Sequence, residues 1–232
     1  MENKETSTRT VPWTTRDVWT GVLLLALWIV GYNAASYLMR AYALDLDPGL
    51  YIGIAELVLL VPLWWLAVRK YDVGWDALGF RRFDASALAV GCGLMIMSLL
   101  FNGTYSAFLA IFDLRMQIDL VPVFAELSSP VWLLLAGIVV APVIEELFFR
   151  GFVFAGLAQR YSWRKAALIS SALFALVHLQ PWAIAPIFIL GYIFAYLYQR
   201  CGSIWPAVLM HVCTNALGLG AAYILSRINL PG

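Results

Sequence analysis

The sequence predicts an all-α fold: a polytopic transmembrane helical bundle of about seven spans, or eight if one of its two longest spans is broken. Three observations predict it. Hydrophobic residues make up 62% of the 232-residue chain and charged residues only 12%, against about 45–50% and about 25% in an ordinary soluble domain. The mean hydropathy is +0.82. The apolar residues gather into runs long enough for helices that cross roughly 30 Å of hydrocarbon. Disorder and nucleic-acid binding both need charge that this chain lacks. A net charge of +1 implies no acidic partner, so the expected partner is the lipid bilayer and no nucleic acid.

The spans fall in order near Val18–Met39, Leu50–Val68, Ser86–Phe112, Val131–Leu157, Trp163–Leu179, Ile184–Gln199 and Ser203–Leu225. The first exceeds a signal-peptide core of about 7–15 residues and is read as an uncleaved span. Gly91, Gly93 and Gly103 weaken the third, Pro142 and Gly151 interrupt the fourth, and Pro181, Pro186 and Gly202 bound the short sixth. Gln180–Pro186 reads as a loop or as a lateral opening between helices. Eleven Lys and Arg residues, among them Lys4, Arg9 and Arg16, fall on the side of the N-terminus, and three on the other. The excess of cations marks the cytoplasmic side, so the N-terminus is expected there. With no internal repeat or linker, residues 18–232 read as a single transmembrane domain behind a polar cytoplasmic tail, 1–17. Cys92, Cys201 and Cys213 show no paired spacing and read as packed apolar thiols.

An ionisable side chain in a bilayer is costly and usually faces a bundle interior or a wet cavity. Those within the spans are few: Glu56, Glu145, Glu146, Arg150, His178 and His211, with Asn102 and Asn215 as uncharged companions. The densest cluster is Ala-Pro-Val-Ile-Glu-Glu-Leu-Phe-Phe-Arg-Gly, Ala141 to Gly151. On a helix, Glu146 and Arg150 are four apart and share a face, in the favourable acid-first order. Glu145 points elsewhere and is free for other work. His178 closes the fifth span after Phe174, and His211 and Asn215 stack one turn apart in the seventh. Taken singly, each has an ordinary reading: a structural ion pair, a histidine bonded across a helix interface, an asparagine gluing helices. Together they concentrate two acids, an arginine, two histidines and an asparagine in three of the last four spans. At about 1.5 Å per residue, Glu145 and His178 lie at about the same depth, and His211 is shallower by about two turns. Glu56 is left with three readings: outward snorkelling, a pair with Arg40, or a place in the same cavity.

Glu145-Glu146-x-x-x-Arg150, Phe174-x-x-x-His178 and His211-x-x-x-Asn215, in that order and on separate helices, resemble the CPBP family of intramembrane proteases. These are the CAAX-protease and bacteriocin-processing proteins, also labelled Abi. The resemblance covers about Val131–Leu225, which marks 131–225 as the catalytic core. Similarity to the type II CAAX prenyl endopeptidases implies that Glu145 is catalytic and that His178 helps it activate a water. It also implies that His211 and Asn215 form the oxyanion site, with Glu146 and Arg150 in support. Peptide hydrolysis needs such a base and such donors. No cofactor is implied. A zinc site built from Glu145, His178 and His211 is the runner-up, since these are zinc-ligand types, although the helical His-Glu-x-x-His pattern is absent. The expected activity is endopeptidase cleavage of a membrane-associated peptide or protein, prenylated or bacteriocin-like. The alternatives are a non-catalytic membrane immunity or partner-binding protein using the same cavity, and a proton-coupled transporter, for which no inverted repeat is visible.

Overall fold

The computed structural model describes residues 10–44, 46–127 and 129–228. Lys4 and Arg9, two of the cations behind the expected orientation, lie outside them. Among the described residues all regular structure is helical. The helices are α1 (Thr15–Ala41), α2 (Pro48–Arg69), α3 (Ser86–Ala110), the short α4 (Val121–Glu126), α5 (Val131–Leu157), α6 (Trp163–Val177), α7 (Pro181–Cys201) and α8 (Trp205–Ile228). Six of them are long and apolar enough to cross a membrane. This is an integral, multi-pass membrane protein, as composition requires.

Local chemistry sets the ends. Thr14 and Asp17 form a reciprocal capping box at the start of α1, Asp47 caps α2 ahead of Pro48, and Ser162 caps α6. Each supplies an oxygen to backbone N–H groups that have no partner in a first helical turn. Gly202, at φ 64°, closes α7 in the left-handed conformation that glycine adopts without a Cβ clash. The expected tail is shorter than its polar composition suggests. Val11 and Trp13 are buried, and the Trp13 indole N–H donates to the Phe152 carbonyl at 3.0 Å.

The fifth expected span differs most. It forms α6, whose 15 residues rise only about 22 Å at about 1.5 Å each, too short for the whole hydrocarbon layer. Leu179, at φ 54°, stops it directly after His178. Gln180–Pro186 is not a simple loop: Pro181–Ala183 makes a 3-10 turn that forms the first turn of α7, which packs back along α6. The glycines of the third span do not break it. Gly91 lies against Met210, whereas Gly93 and Gly103 face open space, so α3 runs unbroken for 25 residues.

Nor is the fourth span broken. α5 absorbs its irregular residues in two π-helical stretches, Ala136–Val140 and Leu147–Phe154. Pro142 has no N–H, and its ring crowds the preceding turn. The wider first stretch makes room for it: the Ala141 N–H bonds to Ala136 O, which turns it away from Gly137 O. Carbonyls loosened in this way find partners on other helices. Asn215 Nδ2 donates to Gly137 O at 2.8 Å, and Ser170 Oγ donates to Phe149 O at 2.8 Å. Every residue from Glu146 to Ala158 is buried, so α5 is the axis of the bundle. The cysteines depart from the packed-thiol expectation, because Cys92 and Cys213 are exposed on faces turned away from the protein. Such faces in a bilayer meet lipid, which is as apolar as a packed interior.

Candidate active site

Three helices supply the polar residues. α5 carries Glu145, Glu146 and Arg150, His178 caps the end of α6, and α8 carries His211 and Asn215. Glu146 and Arg150 are fully buried and pair at 2.9 Å between Oε1 and Nη1. The other guanidinium nitrogen, Nη2, donates to Gly191 O of α7 at 3.0 Å. Arg150 lies over the rings of Phe174, at 4.3 Å, and Phe194, at 5.2 Å. A cation desolvated this completely is held by its carboxylate, by the carbonyl and by the electron-rich faces of the rings. The structural pair read from the i, i+4 spacing is present.

Glu146 does more than that spacing suggests. Its Oε1 also lies 3.0 Å from His211 Nδ1. Because a carboxylate only accepts, Nδ1 is the protonated nitrogen, and the ring is oriented with Nε2 facing away from Glu146. His211 Nε2 stands 3.7 Å from Glu145 Oε2, close enough for charge attraction but long for a hydrogen bond. Phe194 stacks on the His211 ring with centroids 5.1 Å apart, and Phe174 meets it edge-on. Glu145 is less enclosed than Glu146, with its side chain 20% exposed against 0%. The two acids therefore occupy different settings: Glu146 Oε1 is bonded by both Arg150 and His211, whereas Glu145 Oε2 has no hydrogen bond.

The depth mismatch expected for His211 is not realised. Ser203 and Ile204 at the start of its segment are fully buried. Ser203 Oγ donates to Arg81 O, and the Ile204 N–H to Gly79 O, so α8 begins beneath the 74–83 loop rather than at the surface. His178 sits beside this cluster. Its Nδ1 lies 2.7 Å from Phe174 O, which makes Nδ1 the donor and leaves the Nε2 lone pair free. Its ring stands edge-on to Phe174, which in turn touches His211. Asn215 lies one turn beyond His211, with its amide on Gly137 O. Among the described residues, no three His, Cys, Asp or Glu side chains gather so as to hold a metal ion.

Sequence reasoning missed the partners that are not ionisable. Phe174, Phe194 and the Gly191 carbonyl shape the Arg150 pocket, and the apolar ones look like any other core residue in a chain this hydrophobic. The bond between Asn215 and Gly137 had a readable signal: Pro142 sits five residues after Gly137, where a π turn needs an N–H.

Comparison with known proteins bears out the resemblance over this segment. Residues 127–217 match the family described as type II CAAX prenyl endopeptidase Rce1-like, and the match contains all three motifs. The chain is 31% identical over 83 residues to a Bacillus subtilis (strain 168) protein provisionally named as the membrane peptidase YdiL, covering 36% of this chain and 34% of that one. It is 35% identical over 88 residues to the UPF0177 protein YxdF of Lactococcus lactis, covering 38% and 48%. It is 27% identical over 207 residues to an uncharacterized 24.3 kDa protein of Escherichia coli, covering 85% and 93%. The alignments thus span about a third to a half of the length of the first two of these relatives. No solved structure matches.

Proposed function

We propose that the protein is an intramembrane endopeptidase that hydrolyses a peptide bond of a membrane-associated substrate, with Glu145 as the base. One observation carries this reading: Glu145 and His211, 66 positions apart in the chain, stand 3.7 Å apart between Oε2 and Nε2 in a buried polar cluster on the matched segment. Glu145 Oε2 is enclosed and without a hydrogen bond, and His178 Nε2 is an acceptor. The free Glu145 Oε2 suits a water molecule, and the reading assigns His178 as its second partner.

In the proposed reaction, the water oxygen attacks the scissile carbonyl carbon while Glu145 takes its proton. The carbonyl electron pair moves onto oxygen. That oxyanion accepts from His211 Nε2–H and from the second amide hydrogen of Asn215, the first being given to Gly137 O. Collapse then breaks the C–N bond, and Glu145 returns the proton to the departing amine. Because Nδ1–H is committed to Glu146, His211 donates through Nε2 only as an imidazolium. Glu145 and Glu146 balance that charge together with Arg150, so the cluster stays neutral overall. Such fixed donors in a water-poor site contribute about 10²–10³-fold each, and a general base about 10²–10⁴-fold.

The reading also proposes a cytoplasmic N-terminus and a substrate that reaches the site from the bilayer, either a prenylated C-terminal peptide or a bacteriocin-like leader. Purified protein in liposomes, offered a farnesylated peptide and an unmodified amphipathic peptide, tests both the activity and the class. Glu145→Gln, His178→Ala and His211→Ala should each abolish cleavage while the protein remains inserted and folded. Full activity of Glu145→Gln on a genuine substrate would show the assignment to be wrong. Phenotypic complementation by Glu145→Gln would favour partner binding instead.

A further inference from the structure

Glu56 is the one acid of the transmembrane interior that the proposed reaction leaves unused. α2 is seated on α5 through two small residues on one face. A Cβ on Gly49 would collide with the backbone of Trp132 and Leu133, and one on Gly53 would lie 3.6 Å from the Ala136 Cβ. Both sequence numbers rise together, so the helices run parallel here. Glu56 follows at i, i+4, i+7 on that same face. One further turn of register brings it level with residues near 140, about 8 Å along the axis from Glu145 at about 1.5 Å per residue. Two glutamate side chains span much of that interval.

The charges agree with the register. Glu145 on α5 is the charged neighbour that bears on Glu56, and Tyr32 of α1, stacked on Tyr51 at 4.9 Å, lies within the field of Glu56. Arg40, the candidate partner from the sequence, is exposed. Among the described residues no cation forms an ion pair with Glu56, and its Oε2 is enclosed without a hydrogen bond. The nearby donors are already committed to another acid: Arg150 Nη1 and His211 Nδ1 both lie on Glu146 Oε1, at 2.9 and 3.0 Å. A further carboxylate beside Glu145 would then be uncompensated in a medium where an unpaired charge is very costly.

We propose that Glu56 is a positioning residue for Glu145: it holds a proton in the pair of carboxyls, so that Glu145 alone carries the negative charge used on the water. The inference rests on the reading of Glu145 as the base, and its test has an arm independent of activity. Infrared spectra of the protein in lipid nanodiscs at neutral pH should show a protonated-carboxyl C=O band that Glu56→Gln removes and Glu145→Gln retains. Any other pattern, including no band in the wild type, overturns the proposal whether or not the protein is a protease. In the activity arm, Glu56→Gln moves the alkaline limb of the pH profile of kcat/KM upward by about one unit or more, the coupling expected of interacting sites, and Glu56→Asp retains the limb. A uniform loss at all pH values would mark Glu56 as merely structural and contradict the proposal. If the wild type cleaves nothing, or Glu145→Gln cleaves as well as wild type, the protease reading fails and the infrared result still decides the state of Glu56.

Discussion

α1 and α5 are equally long, at 27 residues each, and both are apolar enough to span a bilayer, yet they occupy opposite settings. Of α1 only Asp17, Val18, Gly21 and Leu25 are buried, and Leu23, Leu24, Leu27, Tyr37 and Leu38 face outward. α5 buries every residue from Glu146 to its end. In water, apolar residues mark the inside; in lipid both sides are apolar, and hydrophobicity stops distinguishing them. What separates the two helices is their polar content and their close packing. α5 carries Glu145, Glu146 and Arg150, two π stretches and carbonyls bonded by other helices. α1 carries its ion pair at its end, where Asp17 meets Lys70 and Tyr71.

The contrast predicts a ladder of effects. Replacing Arg150 by Leu leaves Glu146 fully buried with only the His211 Nδ1–H beside it, and breaking a buried ion pair costs about 3–5 kcal/mol. Thermal unfolding in detergent should show a severely destabilised protein or none. Replacing Lys70 by Leu should lower the midpoint far less, because Lys70 is 46% exposed and Asp17 keeps Tyr71 and Thr14. Equal losses would break the comparison.

Asn215→Ala should cost about 1–2 kcal/mol by leaving the Gly137 carbonyl without its donor. Pro142→Ala restores a backbone N–H five residues after Gly137. In the Pro142→Ala background, Asn215→Ala should therefore cost less, with a coupling of about 0.5 kcal/mol or more by double-mutant cycle. Additive losses would remove the link between the π stretch and Asn215. Packing gives a comparable step of about 1–3 kcal/mol: Gly49→Ala collides with the Trp132–Leu133 backbone, whereas Gly93→Ala on α3 meets open space and should be near neutral or stabilising.

The smallest effect lies outside the spans. The Ser86 side chain and backbone N–H hold the Asp84 carboxyl below its ordinary value. A depressed carboxyl contributes stability above its unfolded-state value and loses it as the pH falls through its folded-state value. The stability difference between the wild type and Asp84→Asn should therefore be full at neutral pH and vanish in acid. A difference constant with pH would rule out this linkage.

How much of this was legible in the sequence follows the same contrast. Spans and all-α class were readable because a long apolar run has few fates. The three motifs were readable because ionisable residues in such runs are scarce, and Glu146–Arg150 follows from helical spacing alone. The short α6 was not, since the stop at Leu179 depends on a backbone turn that its side chain does not announce. The link between Glu146 and His211 was not either, because it joins residues 65 positions apart, and no local period reports a tertiary contact. Glu56 was visible as an anomaly, but its neighbour became apparent only once Gly49 and Gly53 fixed the register of α2 on α5.

The most direct test of the central claim is hydrolysis in heavy-oxygen water by the protein in liposomes, with the product peptides read by mass spectrometry. Cleavage by water predicts one heavy oxygen in the new C-terminal carboxyl for the wild type and no new C-terminus for Glu145→Gln. Labelled product formed at the wild-type rate by Glu145→Gln would contradict the account.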